Sequence, residues 1–84
     1  MKATVTVRLK PEVLDPQGRA VQRALGSFGI QGVTDVRVGK LIEIELDHSL
    51  PPGEELDKRL RTMCDELLAN PVIEDYEIRV EAGT

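Results

Sequence analysis

Tryptophan is absent from this 84-residue chain, and Phe28 and Tyr76 are its only aromatic residues. Single-stranded nucleic acid is gripped by stacking its bases on several exposed rings, so that class of function is excluded. The net charge of −4 adds repulsion from phosphate backbones. One cysteine, Cys64, and one histidine, His48, exclude a disulfide framework and any zinc site built on Cys and His. The opening Met1-Lys2-Ala3-Thr4-Val5-Thr6 has no apolar run long enough for a signal peptide or a membrane span. A cytoplasmic protein with neither nucleic acid nor membrane as partner is the expectation.

What is present is ordinary for a globular protein: 40% hydrophobic and 31% charged residues. The length predicts a single domain over residues 1–84, burying only about 60–65% of its unfolded surface and marginal in stability. Little room is left for a deep cofactor cavity beside a core. Charge is uneven: residues 1–42 carry seven basic and three acidic side chains, residues 43–84 four basic and twelve acidic. Neither half contains a long like-charge run, so an interaction tail is disfavoured and two interleaved halves with pairing charges are preferred.

Lys2 to Lys10 alternates strictly, with Ala3, Val5, Val7 and Leu9 on one face and Thr4, Thr6, Arg8 and Lys10 on the other, a half-buried strand. Asp15 suits a helix N-cap and Pro16 the first helical position. Ala20, Val21, Ala24, Leu25 and Phe28 then form one helical stripe, and Gly29 suits the left-handed residue after the helix. Val33–Val38 reads as a short strand joined through Gly39-Lys40, as a type II′ turn, to a strand over Leu41–Asp47. His48 to Gly53 is a loop. Leu56, Leu60, Met63, Cys64, Leu67 and Leu68 mark a second helix, stopped at Asn70-Pro71. Tyr76, Ile78 and Val80 alternate in a last strand. The order β-α-β-β-α-β predicts an α+β, ferredoxin-like fold: a four-stranded antiparallel sheet with two helices on one face. Its topology sets the first and third strands side by side, bringing Thr4, Thr6 and Arg8 beside Glu43, Glu45 and Asp47.

No catalytic centre emerges. Cys64 sits on the apolar stripe of the second helix and reads as a buried, inert thiol. His48 reads as a solvated loop residue, and the carboxylates as solvated faces and strand-pairing charges rather than convergent metal ligands. Gly26 to Gly32 closes a helix instead of opening one, the wrong end for a phosphate. Gly18-Arg19-Ala20-Val21-Gln22 is similar to the phosphate-binding segment of small acylphosphatases. That chemistry also needs an asparagine on the sheet, and the single asparagine, Asn70, falls at the far end of the second helix. A domain of this kind works by binding, through self-association or docking in a larger complex.

Four segments carry a family resemblance: Val7-Arg8-Leu9-Lys10-Pro11; Leu14-Asp15-Pro16-Gln17-Gly18; Val36-Arg37-Val38-Gly39-Lys40-Leu41-Ile42-Glu43-Ile44; and, most specific, the run from Met63 to Ile78 containing Asn70-Pro71. In this order, over nearly the whole chain, they resemble the PurS family, the small subunit of phosphoribosylformylglycinamidine (FGAM) synthase in de novo purine synthesis. The resemblance implies a chain that is not an enzyme by itself. It implies a bridge between a glutaminase subunit (PurQ) and an ATP-dependent synthetase subunit (PurL) that assists ammonia transfer between them. No catalytic, cofactor or metal-binding residue is then expected here, because the complex uses ATP, Mg and glutamine on its other subunits. The chain alone is expected to be a homodimer, or a homotetramer. Gln17, Gly18, Lys40, Asn70 and Tyr76 are the candidate partner contacts. The competing reading is an ACT-like regulatory domain holding a small metabolite.

Overall fold

Alternation of Ala3, Val5 and Val7 with Thr4 and Thr6 gives β1 (Lys2–Leu9) one apolar side, and this strand is the centre of the molecule. In the computed structural model, which describes residues 1–47, 49 and 51–81, β1 is followed by α1 (Pro16–Ser27), β2 (Lys40–Glu45), α2 (Glu54–Met63) and β3 (Glu74–Glu81). α2 continues into a wider π turn over Cys64–Leu68. The sheet order is β2-β1-β3, with both flanking strands antiparallel to β1. The α+β class is therefore as expected, but the sheet has three strands among the described residues, not four. His48, read as a loop residue, lies outside the described residues.

The register brings the basic and acidic halves together. Lys2 stands between Glu45 and Glu81, and Thr4 between Glu43 and Arg79. The Lys2 ammonium is 2.8 Å from the Glu43 carboxylate, which raises the lysine pKa first through that hydrogen bond and then through the charge. Arg8 does not meet Asp47 as expected. β2 begins at Lys40, opposite Val7, so Arg8 is paired only with Asp75 of β3, while Thr6 stands between Leu41 of β2 and Glu77 of β3.

On the inner face Ala3, Val5 and Val7 are fully buried beneath Leu56, Leu60 and Cys64. These three contacts, two from α2 and one from the first residue of the π turn, are spaced by four residues, and each step overshoots the 3.6-residue turn by about 40°. The wider π turn after Cys64 takes up the drift and returns Leu68 and Ala69 to the Val5–Val7 cluster. Met63 and Leu67, assigned by spacing to the buried stripe, are 39% and 77% exposed instead. One helix covers only the middle of the sheet, so Ile42, Ile44 and Leu46 on one flank and Ile78 and Val80 on the other stay half-buried.

α1 has the expected ends. Asp15 caps it, Pro16 opens it, and Gly29 (φ +82°) closes it, with Ile30 N–H donating to the Leu25 carbonyl and Gly29 N–H to that of Gly26. Its place is not as expected: α1 contributes no side chain to either core cluster, leaving Val21 and Phe28 exposed, the latter by 84%. The cause is the segment read as a second strand. Residues 33–38 form no strand; they run back along α1. The Gln22 side-chain amide donates to the Val33 carbonyl (3.3 Å), the Val36 carbonyl lies against Gly18, and Val38 N–H donates to Asp15 (2.7 Å). Tied there, the segment cannot also lie beside β2, and the expected hairpin is not formed. Gly39 is not in a left-handed turn; its missing side chain admits the Val7 carbonyl oxygen, which would stand 2.6 Å from a Cβ. The result is an arm, α1 with residues 28–38, reaching out from the sheet. The molecule measures 50 × 31 × 15 Å with a radius of gyration of 16.5 Å, against about 12 Å for a compact chain of this length.

Candidate functional site

The Asp15-Pro16-Gln17-Gly18 motif and the Val36-Arg37-Val38-Gly39-Lys40 motif meet at one end of the sheet. Asp15 is the joint. One carboxylate oxygen accepts from Gly18 N–H (2.8 Å), capping α1, and the other accepts from Val38 N–H (2.7 Å), which belongs to the second motif. The side chain is buried, and these two backbone donors, Val38 first, hold its pKa below the ordinary carboxylate value despite desolvation. Gly18 is required because a Cβ would run into the Val36 carbonyl oxygen. Arg37 adds a second tie, donating from one guanidinium nitrogen to the carbonyls of Lys10 (2.9 Å) and Val13 (2.8 Å).

Around this joint lies a shallow hollow of about 220 Å³ lined by Val7, Leu9, Gln17, Val38, Lys40 and Glu74, among others. Gln17 and Lys40 stand exposed at its rim, with the Lys40 ammonium 4.0 Å from Glu74. The other oxygen of Glu74 accepts from Asn70 N–H at 2.7 Å. Gln17, Lys40 and Asn70, chosen from sequence, are thus brought to one exposed surface, whereas Gly18, chosen with them, is buried beneath the Val36 carbonyl. Tyr76 is not on it in the same sense: its ring packs with Val7 in the core, and its hydroxyl donates to Asp65 (2.7 Å). That hydrogen bond, with lesser desolvation, raises the phenol pKa.

Asn70 is committed to local structure as well. Its side-chain oxygen accepts from Val72 N–H, and its carbonyl accepts from Ile73 and Glu74 N–H. Sequence reasoning missed Glu74 and Arg37. Glu74 shares the inward parity of Tyr76, Ile78 and Val80, and a carboxylate at an inward position of an otherwise apolar alternation is the signal that marks it. Arg37 has no such signature, since its partners are backbone carbonyls distant in sequence.

The chemistry available here is recognition. Gln17 offers an amide, Lys40 a cation and Glu74 a carboxylate, on a surface with no nucleophile and base in contact. Cys64 is fully buried, and desolvation followed by the Asp65 charge raises its thiol pKa, opposite to what a reactive thiolate needs. Among the described residues no three His, Cys, Asp or Glu side chains are placed to hold a metal ion, and no helix is long and apolar enough to cross a membrane.

Comparison with known proteins places the chain in a family. The sequence profile of the PurS family, described as phosphoribosylformylglycinamidine (FGAM) synthase, matches residues 2–82. The FGAM synthase subunit PurS of Bacillus subtilis is 50% identical over 80 residues, covering 95% of this chain and 92% of that one. The PurS subunit of Methanocaldococcus jannaschii is 46% identical over 80 residues, 95% of this chain and 94% of the other. Solved structures agree: B. subtilis PurS superposes with a TM-score of 0.83 over 95% of this chain and 96% of its own. A chain of the PurLQS structure from Thermotoga maritima superposes at 0.69, with 30% identity and 93% of each chain covered. With the two sequence motifs locked together as described and the match running almost end to end, this chain belongs to the PurS family.

Proposed function

We propose that the chain is the small, non-catalytic subunit of an FGAM synthase. In this role it bridges a PurL-type ATP-dependent synthetase and a PurQ-type glutaminase and assists the passage of ammonia between them. The observation that carries the reading is the near-full-length likeness to a chain of the Thermotoga maritima PurLQS structure. Ammonia free in water is protonated and lost as a nucleophile, so a docked assembly that excludes water has a physical purpose. The surface bearing Gln17, Lys40 and Asn70 is the part we assign to partner contact, with ATP, Mg and glutamine handled on the other subunits.

The same reading includes a homodimer. The exposed stripe of α1, with Val21 and Phe28 uncovered, matches a deficit on the sheet, whose inner face has one helix where the split βαβ layout has two. In that layout the first helix covers the flank on the β2 side. A second copy's α1 laid over Ile42, Ile44 and Leu46 supplies the missing layer, reciprocally in both copies.

Reconstitution tests the function. Synthetase and glutaminase subunits mixed with this chain are expected to show glutamine-dependent FGAM formation that disappears on its omission, while turnover with added ammonium salt persists. Glutamine-dependent activity unchanged by omission overturns the reading.

A further inference from the structure

The hollow beside Asp15 holds hydrogen-bond donors that the chain itself does not use. The Lys40 side chain is 58% exposed and its ammonium stands 4.0 Å from Glu74, beyond hydrogen-bond distance, so its N–H donors have no acceptor among the described residues. Glu74 is the better-held member of the pair: its side chain is 16% exposed and its other oxygen accepts from Asn70 N–H. The Gln17 side-chain amide, exposed at the same rim, also has no hydrogen-bond partner among the described residues. We infer, on the basis of the bridging role proposed above, that this hollow takes a glutamate or aspartate side chain of a partner subunit, whose carboxylate accepts from the Lys40 ammonium and the Gln17 amide.

Sign selects a carboxylate. A cation brought to Glu74 would stand beside Lys40 and compete with it for a carboxylate already engaged by Asn70. A carboxylate instead meets two unused donors, one of them charged, and charge-assisted hydrogen bonds are the stronger kind. Size selects a side chain over a free ligand. The hollow holds about 220 Å³, below the roughly 300–1,000 Å³ of small-molecule sites, so it suits one side chain anchored elsewhere. Its floor of Val7, Leu9 and Val38 suits the methylene groups of that side chain. The surroundings supply the anchorage. Leu14, next to Asp15, and Val72 and Ile73, leading into Glu74, are exposed apolar side chains, and Lys10 N–H donating to the Ile73 carbonyl (2.8 Å) sets their two turns side by side. Apolar contacts around a charged anchor exclude water from it, and the attraction between ammonium and carboxylate strengthens as water leaves.

The affinity of the full chain for purified synthetase and glutaminase subunits, measured by titration calorimetry at low and high salt, tests the contact, with circular dichroism checking the fold of each variant. Lys40→Met is expected to weaken assembly at least about tenfold and Lys40→Glu about a hundredfold or more, and the salt dependence of the wild type to shrink in K40M. Glu74→Gln removes the nearby like charge and is expected to tighten assembly by about twofold or more. Lys58→Met, the same loss of charge on the exposed surface of α2, is the control and leaves the affinity unchanged. K40E assembling as tightly as the wild type overturns the carboxylate contact and leaves the bridging role standing. So does E74Q loosening assembly as much as K40M or more, which is the signature of a partner cation on Glu74. A wild-type chain that binds neither subunit overturns both.

Discussion

Replacing Gly18 by alanine tests the joint between the two motifs, because a helix propensity argument and the tertiary argument predict opposite signs. In an exposed helix Gly→Ala stabilises by up to about 1 kcal/mol. At Gly18 the added Cβ would run into the Val36 carbonyl oxygen and stand 2.9 Å from the Asp15 carboxylate. A backbone oxygen cannot rotate away, so residues 33–38 must shift against α1, loosening the Val38 N–H bond to Asp15. Overpacking of this kind costs about 1–3 kcal/mol. For a domain of this size each kcal/mol is about 4–8 °C, so melting is expected to fall by roughly 5–20 °C. Gly26→Ala is the matched control, because the same helix holds nothing within 4 Å of that Cβ. It should raise stability by about 0.5–1 kcal/mol. The assay is thermal unfolding by circular dichroism at one protomer concentration, since self-association makes melting depend on concentration. G18A melting at or above the wild type refutes the reasoning.

The core makes a second prediction. Leu60→Ala should cost about 2–5 kcal/mol, seen as a lower urea midpoint, since Leu60 is 2% exposed, while Leu67→Ala at 77% exposure should stay within about 0.5 kcal/mol. Asp15 gives a pH dependence. Its folded pKa lies below the ordinary 3.8, so its contribution is fully present above that value and is lost as pH falls through the lower folded one; Asp15→Asn should flatten this part of the acid limb of a stability–pH curve. Tyr76 should titrate above the ordinary 10.0 because Asp65 accepts its hydroxyl proton, and Asp65→Asn should bring the ultraviolet titration of the phenolate back down.

Local signals were legible residue by residue. The alternations in β1, β2 and β3, the Asp15-Pro16 start of α1, the Gly29 close and the buried Leu56, Leu60 and Cys64 were all readable, because each depends on neighbours within a few positions. In the site, Gln17, Gly18, Lys40 and Asn70 were identified as candidates, but their meeting was not, nor were the ties through Glu74 and Arg37. Gly39 shows the difference well: the same glycine reads as a turn residue in sequence and proves to be a point of close approach to Val7, 32 positions away.

The sequence by itself determined which segments alternate, which are helical, that the two charge halves interleave, and which family the chain resembles. These follow from periodicity, capping chemistry and motif order. Only the tertiary structure decided where α1 goes. The stripe of Ala20, Val21, Ala24, Leu25 and Phe28 records that the helix has an apolar face and says nothing of whose sheet that face covers. That outcome turns on whether residues 33–38 bond to β2 or return along α1, and the Asp15–Val38 bond and the Gly18–Val36 approach hold them to α1. The second copy that the sequence led one to expect thereby gains a physical reason: the arm leaves on each chain an apolar face that its own sheet does not bury.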